Sequence, residues 1–479
     1  MFSVNYQLLA LYPETPPMTA PLSLSSSTLQ GLLVIPGDKS ISHRSLMFSA
    51  MCKGVSTVTG LLPSADVLST LACLEACGVT FECTDQAQGN WRITSPGWPL
   101  TEPTTVLDCG NSGTTLRLLT GYLAGQGLYA VLTGDTSLRS RPMARVIAPL
   151  NSMGAAITAR NGNRNAPLAI HPTAKGALQG LQGYTLPVAS AQVKSALILA
   201  ALQANGTSTL NEPLLCRDHT ERMLAQLGIT LGITPLPSGG RSLEIAPLAP
   251  DQRLEPQAWQ VAGDPSSAAF WAVAATLTPN AEVTLQQVSL NPTRTGLFTA
   301  LQQLGGKLAL HPTTPPHHAG EPMGNIHVSA SPLAGDLHLA ADAIPALVDE
   351  IPILMVAALF NQGTLTVTGA EELRAKESDR LAVMASHLQR LGATLTLAHD
   401  GFTLTGNPDW QPAPNADIAT PFATHHDHRI AMAMAILNGL VEARRGNGFK
   451  RTWLLDAPDC VAVSYPNFFS HWQALGGLL

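Results

Sequence analysis

The hydrophobic pattern of the chain predicts pairs of helices that repeat at a regular spacing. In each pair, an amphipathic segment ends in Leu-Gly, Met-Gly or Cys-Gly and is followed by a β-prone run, which is typical of a helix C-cap and a strand start. The separations between these glycines are 76, 74, 77, 87 and 84 residues, and the glycines are Gly78, Gly154, Gly228, Gly305, Gly392 and Gly476. The chain is therefore predicted to contain six near-equal units.

A second, mostly apolar helix is predicted ahead of each amphipathic one. Runs such as SALILAALQA and ILMVAALF are hydrophobic on nearly every face, so these helices are expected in the interior of the protein. Short stretches rich in Val, Thr, Ile and Leu predict strands before, between and after the two helices. The predicted apolar helices span residues 42–53, 113–124, 191–204, 265–277, 350–361 and 428–438.

The number of units also predicts how the chain is divided. Six units are too many for a single core, which favours two globular halves with three units each and a boundary near residues 261–265. An ordinary doubly wound α/β fold is the alternative at this point. Residues 1–30 contain no Lys or Arg and support neither a secretory signal nor a transit peptide. This segment is predicted to be a disordered extension, unless translation starts at Met18.

The composition of the 479-residue chain narrows the class of protein. Only 13% of residues are charged, against about 25% in an ordinary soluble protein, and 45% are hydrophobic. Apolar runs such as 351–360 and 430–437 are much shorter than the ~20 residues that cross a bilayer. A net charge of −6 argues against a non-specific nucleic-acid binder. The seven cysteines fit neither a disulfide framework nor a zinc site and indicate a reducing, cytoplasmic location.

The few charged residues are concentrated at the predicted helix starts. A helix N-terminus presents free N–H groups and the positive end of the helix dipole, so it attracts phosphate or carboxylate. Lys and Arg are favourable there only when an anion lies opposite them. The sequence thus predicts a site for more than one anionic group, assembled from PGDKSISHR (36–44), CGNSGTTLR (109–117), RSRPM (139–143), ASAQVK (189–194), RDHTER (217–222), RAKESDR (374–380) and HHDHR (425–429).

Other ligand classes find little support in these motifs. Neither GNSGTTL nor PGDKS matches the phosphate loop of nucleotide-binding proteins, and no GxGxxG follows a predicted strand. The histidines of HHDHR suggest a metal site, but no second ligand cluster accompanies them and Arg429 would repel a cation. We therefore predict no metal site, no P-loop nucleotide site and no nicotinamide cofactor.

Two carboxylates are candidates for proton transfer. Asp349 opens an apolar helix, and Glu377 lies between Lys376 and Arg380. Burial raises a carboxyl pKa and neighbouring cations lower it, so both surroundings can adjust the protonation of these groups. Each residue also has a purely structural explanation, Asp349 as a helix N-cap and Glu377 as an i,i+3 ion pair with Arg380.

Taken together, PGDKSISHR, GNSGTTLRLLTG, GDTSLRSRPM, RAKESDRL and DHRIAMA resemble the EPSP synthase family, from about Leu29 to the C-terminus. The resemblance implies an α/β fold, a two-domain inside-out α/β barrel built from six βαβαββ repeats, three in each domain. The first domain would span 38–262 and the second 31–37 plus 263–479. The chain would thus cross between the domains twice, with the active site in the cleft between them.

The resemblance also implies a reaction. Members of the family transfer the enolpyruvyl group of phosphoenolpyruvate to the 5-hydroxyl of shikimate 3-phosphate, through a tetrahedral intermediate, and release phosphate. This is a step of the shikimate pathway of aromatic amino acid biosynthesis and uses no metal or organic cofactor. The expected partners are these two small molecules, without nucleic acid or membrane, and the expected state is a cytoplasmic monomer.

The resemblance assigns roles to residues that match the family's motifs. Asp349 would take the proton from the attacking hydroxyl, Glu377 would protonate the methylene carbon of phosphoenolpyruvate, and Lys39 would stabilise the charge that moves. Gly113 would let backbone N–H groups approach an anion closely. The residues expected to hold shikimate 3-phosphate are Lys39, Ser40, Arg44, Ser190, Ala191, Gln192, Arg217, Asp349 and Lys376. Those expected to hold phosphoenolpyruvate are Lys39, Asn111, Gly113, Thr114, Arg141, Gln192, Arg380 and Arg429.

Two other functions stay open at this stage. UDP-N-acetylglucosamine enolpyruvyltransferases share the fold, but they carry an Asn after the first lysine, where this chain has Ser40, and a reactive loop cysteine. A non-catalytic anion-binding scaffold would not need both Asp349 and Glu377. The chain departs from the best-known branch of the family at Leu118 and Val463, which leaves the reaction intact but leaves sensitivity to glyphosate open.

Overall fold

The structure, a computed structural model, describes residues 23–24, 29–174, 177–237, 239–249, 252–315, 319–445 and 453–478. Within these ranges the chain is a mixed α/β protein. Its helices are α1 (Lys39–Met51), α2 (Ala65–Ala76), α3 (Gly113–Leu123), α4 (Thr136–Ser140), α5 (Ala144–Ser152), α6 (Arg160–Asn163), α7 (Ala191–Ala201), α8 (His219–Gln226), α9 (Pro265–Leu277), α10 (Gly296–Gln303), α11 (Ile351–Leu359), α12 (Arg380–Arg390), α13 (His428–Arg445) and α14 (Phe468–Ala474). Short 3-10 helices span Ile344–Ala346, Val348–Glu350, Glu371–Ala375 and Pro458–Val463.

The strands are short and are distributed along the whole described chain. They are β1 (Ser23–Leu24), β2 (Gln30–Val34), β3 (Gly54–Thr59), β4 (Thr80–Asp85), β5 (Asn90–Ser95), β6 (Leu107–Asp108), β7 (Ala130–Thr133), β8 (Ala156–Ala159), β9 (Asn165–His171), β10 (Tyr184–Thr185), β11 (Ser208–Glu212), β12 (Gly232–Pro235), β13 (Arg241–Ile245), β14 (Ala258–Gln260), β15 (Glu282–Ser289), β16 (Lys307–Pro312), β17 (Met323–Ser329), β18 (Leu333–Ala334), β19 (Leu337–Leu339), β20 (Asn361–Gln362), β21 (Thr364–Val367), β22 (Thr394–Leu397), β23 (Phe402–Thr405) and β24 (Gly477–Leu478).

Five four-stranded sheets share one topology. In each, an outer strand pairs in parallel with its neighbour, and the remaining two strands add antiparallel to it. In three of the sheets an apolar helix, α3, α7 or α11, follows the first strand of the parallel pair and precedes the second, in the predicted order of strand, buried helix and strand. The sheets have the orders β14-β3-β5-β4, β6-β7-β9-β8, β10-β11-β13-β12, β2-β15-β17-β16 and β19-β21-β23-β22.

The predicted glycine helix ends are confirmed at all six positions. Helices α2, α5, α8, α10, α12 and α14 each end just before their glycine, whose φ lies between +78° and +99°. Such left-handed backbone costs a residue with a Cβ roughly 1 kcal/mol or more but suits glycine. The glycines therefore end the surface helices and turn the chain into the next strand.

The apolar helices are buried as predicted, although some ends differ. Helix α9 has the predicted bounds, whereas α1 begins three residues early because Asp38 caps it by accepting from the Ile41 amide. Helix α13 runs on to Arg445 instead of ending at Asn438. Gly439 does not end this helix, because the Trp472 ring occupies the space where a Cβ would lie, and the glycine serves close packing.

The core consists of two hydrophobic clusters. One contains buried side chains between Ile41 and Ala262, and the other combines Leu29, Leu33 and Ile35 with residues from Ala268 onwards. The two connecting segments run side by side, since Asp38 N donates to Ala262 O at 2.7 Å and Asp264 N donates to Pro36 O at 2.8 Å. The polar segments at these two connections thus lie at the junction of the clusters.

The predicted disordered extension, 1–30, is wrong in its last part. Strand β1 pairs antiparallel with β24, so backbone hydrogen bonds connect the start and the end of the described chain. Strand β2 already begins at Gln30 and pairs with β15. Residues 1–22 and 25–28 lie outside the described ranges. Among the described residues, no helix combines the length and the apolar character needed to span a membrane.

Candidate active site

A polar cleft between the two clusters collects most of the predicted site residues. It encloses about 1270 Å³, including its open mouth, and residues from both clusters line it. Only Arg44 and Asn111 of the predicted set are not part of the lining. The predicted residues that line the cleft are Lys39, Ser40, Gly113, Thr114, Arg141, Ser190, Ala191, Gln192, Arg217, Asp349, Lys376, Glu377, Arg380 and Arg429.

The start of α1 brings Lys39 to the cleft. Lys39 Nζ lies 3.0 Å from Asp66 Oδ2, which belongs to α2. The capping residue Asp38 is completely buried and pairs with Arg294 of the second cluster at 2.7 Å. Burial raises the pKa of the Asp38 carboxyl, but Arg294, His219 and the Ile41 amide together outweigh burial and hold this pKa below its usual value. Asp38 is thus an ionised cap beside Lys39.

Two further helix starts form one wall. Ser112 caps α3 by accepting from Thr115 N at 3.1 Å, which leaves Gly113 at the first helical position. A Cβ on Gly113 would lie 3.2 Å from Arg117 Nη1 and 3.3 Å from Arg141 Nη1, so this glycine gives space to two guanidinium groups.

Gln192, at the start of α7, completes this wall. Its amide Nε2 donates to Thr114 Oγ1 at 2.9 Å, and its Oε1 accepts from Arg117 Nη1. Ser190 caps α7 through a longer contact, 3.5 Å from Val193 N. The starts of α3 and α7 are thereby connected by side chains that were predicted to touch the substrates.

The two predicted residues outside the lining support it from behind. Arg44 is buried and donates to Ser40 O at 2.9 Å, Thr220 Oγ1 at 2.8 Å and Ser195 Oγ at 2.8 Å. Asn111 Oδ1 accepts from Arg141 Nη2 at 2.8 Å. In this structure both side chains position neighbours that do line the cleft.

Asp349 lies at the centre of a cluster of cations. Arg217 Nη2 donates to its Oδ2 at 2.6 Å and Arg380 Nη1 to its Oδ1 at 3.0 Å, while Arg429 Nε is 3.9 Å away. Burial raises the pKa of Asp349, but Arg217, Arg429 and Lys376 outweigh burial and hold that pKa well below its usual value. Asp349 caps no helix, so the structural explanation considered for it does not apply.

Glu377 contacts cations of both clusters. Arg380 Nη2 donates to its Oε2 at 2.7 Å, which is the i,i+3 pair considered above, and Arg141 Nη1 lies 4.0 Å from its Oε1. The carboxyl is 24% exposed and faces the cleft. Burial raises the pKa of Glu377, but the surrounding cations, Arg380 first and then Arg141 and Lys39, outweigh burial and hold this pKa well below its usual value. The i,i+3 pair is therefore part of the site and not of a solvated helix face.

The HHDHR motif contributes Arg429 and His428 to the same cleft. His428 is 1% exposed, and neither of its ring nitrogens has a hydrogen-bond partner among the described residues. Burial, followed by the charges of Lys39 and Arg429, lowers the pKa of His428 to about 3, so the ring is neutral. Among the described residues no group of three or more His, Cys, Asp and Glu side chains could hold a metal ion.

Sequence analysis missed several charged residues of the lining. Arg117 stood within a quoted motif and is one helical turn from Gly113, so its i,i+4 spacing was an available signal. Arg294 follows no recognisable motif and reaches the cleft only through the tertiary fold. The missed residues are Asp66, Arg117, Arg145, Asp264, Arg294 and Glu372.

The charge balance of the lining indicates what the cleft can bind. Nine lysines and arginines and five carboxylates line it, an excess of four positive charges in a chain whose net charge is −6. Cations that line a concave, partly desolvated surface attract anions strongly. The arrangement is suited to small molecules that carry several negative charges, with carboxylates at hand for proton transfer.

Several known proteins are similar to this chain in sequence and in fold. The profile of the family described as EPSP synthase (3-phosphoshikimate 1-carboxyvinyltransferase) matches residues 25–472. A 3-phosphoshikimate 1-carboxyvinyltransferase of Synechococcus sp. (strain WH7803) is 45% identical over 458 residues, covering 95% of this chain and 97% of that protein. That of Herpetosiphon aurantiacus is 43% identical, covering 93% and 97%. A solved structure of EPSP synthase from Acinetobacter baumannii has a TM-score of 0.79 and 37% identity, covering 96% of this chain and 99% of that one.

Fold, site and similarities together define an enzyme of the carboxyvinyltransferase class. The chain belongs to the EPSP synthase family. The prediction made from the five motifs is confirmed, and the two alternatives, a UDP-sugar transferase and a non-catalytic scaffold, are not favoured.

Proposed function

We propose that the enzyme transfers the enolpyruvyl group of phosphoenolpyruvate to the 5-hydroxyl of shikimate 3-phosphate and releases inorganic phosphate. The observation that carries this proposal is the excess of positive charge in a cleft that also holds Asp349 and Glu377. Phosphoenolpyruvate has a phosphate and a carboxylate, and shikimate 3-phosphate has the same two groups. The two substrates thus carry four anionic groups. This number explains why so many cations line one cleft, among them Lys39, Arg141 and Arg217, with the hydroxyl of Ser40 beside them.

Asp349 is the group that accepts the proton of the attacking hydroxyl in this proposal. Its pKa is held well below the usual value, so the carboxylate is ionised and ready to accept. Bound substrate anions compete for Arg217 and Arg380, which raises the proton affinity of Asp349 when it is needed. The 5-hydroxyl oxygen then attacks the central carbon of phosphoenolpyruvate.

Glu377 is the group that exchanges a proton with the methylene carbon. Its lowered pKa makes it a carboxylate, so it must first gain a proton from solvent, and neutralisation of Arg141 and Arg380 by phosphoenolpyruvate favours that gain. Addition of the proton and of the hydroxyl oxygen gives the tetrahedral intermediate. Phosphate then leaves with the proton that Asp349 took, and Glu377 takes a proton back from the former methylene carbon, which restores the double bond and both carboxyl groups. Lys39, Lys376 and the arginines stabilise the charges that move.

The binding residues come from both parts of the chain, which supports closure around the substrates. Lys39, Gln192 and Arg217 belong to the first part, and Asp349 and Arg429 to the second. Arg217 and Asp349 are 132 positions apart and make direct contact across the cleft. Closure of such a site excludes water from the intermediate.

We extend the proposal to the domains and repeats implied by the family. Five sheets of one topology, six glycine ends and two cores support six βαβαββ units in an inside-out barrel. The sixth unit is supported by α13 and by the parallel bridge between Phe422 and Leu455. Domains of 38–262 and of 31–37 plus 263–479 agree with the membership of the two cores.

We also propose a cytoplasmic monomer that binds neither nucleic acid nor membrane. Support comes from seven cysteines without disulfides, five of them buried, and from the acidic net charge. Light scattering of the purified chain tests the oligomeric state, and a mass near twice 50.3 kDa would contradict the proposal.

A phosphate-release assay tests the central proposal. Purified enzyme is given phosphoenolpyruvate with shikimate 3-phosphate, or phosphoenolpyruvate with UDP-N-acetylglucosamine. Phosphate release with the first acceptor alone is the expected result. Release only with the UDP-sugar, or with neither acceptor, would refute the proposed reaction.

Substitutions at the centre of the site test the residue roles in the same assay. Lys39→Ala and Asp349→Ala are each expected to lower kcat by at least about 10²-fold, since both act on groups whose charge changes during the reaction. Lys53→Ala, at an exposed position, is the matched control and should retain wild-type kcat. Wild-type turnover in either site variant, with an unchanged circular dichroism spectrum, would refute the assigned role.

A further inference from the structure

The side chain of one cation of the cleft has no hydrogen-bond or ion-pair partner among the described residues. Arg145, in the first turn of α5, lines the cleft but makes no hydrogen bond and no ion pair with any residue the structure describes. The other cations have partners: Lys39 pairs with Asp66, Lys376 with Glu372 and Arg294 with Asp38. An arginine that lines a concave site without any partner is available for an anionic ligand.

The surroundings of Arg145 increase this imbalance. Arg117 and Arg141 both approach the space beside Gly113, and both have a buried Nε without a hydrogen-bond partner. Burial, followed by the charges of Arg145 and Arg141, lowers the pKa of Arg117 to about 10. The hydrogen-bond partner of Arg117 is the neutral amide of Gln192. Three guanidinium groups thus share one wall, with Glu377 4.0 Å from one of them.

The neighbours of Arg145 along the chain are exposed to solvent. Pro142 and Ala144 are exposed and Arg145 is half-buried, whereas Gly113 is buried. Arg141 donates to Asn111 and lies 4.0 Å from Glu377, where phosphoenolpyruvate is proposed to react. Because its neighbours along the chain are exposed, Arg145 is assigned to the mouth side of the wall.

We propose that Arg145 forms an outer phosphate-binding subsite beside the wall that holds Arg117 and Arg141. It binds the phosphate group of phosphoenolpyruvate on its way in and inorganic phosphate on its way out. This inference rests on the proposed reaction. A phosphate dianion held only by the inner cations dissociates slowly. A second cationic position toward the mouth lowers the free-energy barrier to its dissociation, as adjacent binding sites do in ion channels. The same charge steers the incoming dianion.

The variant Arg145→Gln tests the subsite with phosphoenolpyruvate and inorganic phosphate as probes. At low ionic strength kcat/KM for phosphoenolpyruvate should fall roughly three- to tenfold, since one steering charge is lost, and the difference should shrink in about 0.5 M salt. The inhibition constant of inorganic phosphate should rise by a similar factor. kcat/KM for shikimate 3-phosphate should change much less, and Arg145→Lys should restore part of the loss.

Arg92→Gln is the matched control, because Arg92 is exposed on β5 and does not line the cleft. If Arg145→Gln and Arg92→Gln behave alike in both measurements, the subsite is refuted. An equal loss for both substrates also refutes it, because that result indicates a general distortion of the cleft. Failure of the proposed reaction is distinguishable, since the wild-type enzyme would then release no phosphate at all.

Discussion

At the residue scale, the site holds more buried positive than negative charge. Asp349 forms ion pairs with Arg217 and Arg380, and Glu377 forms a second ion pair with Arg380. The Arg380 side chain is 2% exposed, and its Nε donates to Asp427 Oδ2 at 2.8 Å. Each carboxylate is stabilised by cations that a substrate anion will compete for. In the proposed reaction, binding therefore raises the proton affinity of Asp349 and Glu377.

This balance predicts a pH-dependent contribution of Asp349 to stability. Its pKa is lowered in the folded state from about 3.9 in the unfolded chain, so the stabilisation is complete above that pH and is lost as the pH falls through the lowered value. Asp349→Asn should therefore reduce the free energy of unfolding at pH 7, and the difference should shrink towards pH 2. Urea titrations across this range measure it.

A matched control is available at Asp342, whose side chain is exposed. Asp342→Asn should leave the free energy of unfolding nearly unchanged at every pH. A difference between wild type and Asp349→Asn that stays constant from pH 7 to pH 2 would contradict the electrostatic explanation.

A second residue-scale prediction concerns Gly113. An added Cβ would approach Arg117 Nη1 and Arg141 Nη1 at 3.2 and 3.3 Å, so both guanidinium groups must shift by a few tenths of an ångström. Gly113→Ala should raise KM for phosphoenolpyruvate roughly tenfold, about 1.4 kcal/mol. KM for shikimate 3-phosphate serves as the internal control and should change little. Equal changes in both constants would show that the effect is not local.

At the scale of elements, the capped helix starts set the geometry of the site. Asp38, Ser112, Ser190 and Asp379 cap α1, α3, α7 and α12, and the residues that follow these caps reach the cleft. Because the strand–helix unit repeats, the buried helices have the same orientation relative to their sheets. A local cap therefore has a functional consequence, because it fixes where the next residue points.

The cap of α3 gives an element-scale prediction. Ser112 Oγ accepts from Thr115 N at 3.1 Å and from Thr115 Oγ1 at 2.7 Å. Ser112→Ala should lower the free energy of unfolding by about 1 kcal/mol, because the cap hydrogen bond is lost. It should also raise KM for phosphoenolpyruvate, because this hydrogen bond fixes the start of α3 and so the position of Gly113. Chemical denaturation and steady-state kinetics measure the two effects.

Ser64 supplies the matched control. It precedes α2, is equally buried, and its hydroxyl has no hydrogen-bond partner among the described residues. Ser64→Ala should leave both stability and KM nearly unchanged. If the two variants lose equal stability, the cap hydrogen bond at Ser112 is not the cause.

At the scale of the whole molecule, Arg294 joins the two connections between the cores. Its guanidinium pairs with Asp38 at 2.7 Å and with Asp264 at 2.9 Å, the caps of α1 and α9. It also donates to Ser266 Oγ at 2.9 Å. The two caps lie beside the segments that connect the cores. The Arg294 side chain therefore fixes the position of both connecting segments relative to each other.

Loss of this side chain should be costly. Arg294→Met leaves two buried carboxylates without their cation, which typically costs about 3–5 kcal/mol. Arg444→Met is the control, because Arg444 donates to the carbonyls of Leu277 and Pro408 and should cost only about 1 kcal/mol. Urea denaturation of both variants gives the comparison. Equal losses would mean that the carboxylate pairs do not stabilise the junction.

Local rules made much of the fold predictable from the sequence. The six glycines end helices because a left-handed backbone is favourable only without a Cβ. The apolar runs form interior helices because every face of such a helix must be shielded from water. The two local errors have one origin, since β1 is ordered by β24 from the far end of the chain, and Gly439 stays helical because Trp472 packs on it. Both depend on residues distant in sequence.

The anionic class of ligand was also determined by the sequence, since cations at helix starts are unfavourable without an anion to receive. Only the tertiary structure decided which of those cations are already paired. Arg217 meets Asp349 across 132 positions, Arg294 meets Asp38 across 256, and Arg145 meets no carboxylate in the described chain. Charge interactions depend on distance in space and on burial, and neither is encoded in local sequence patterns.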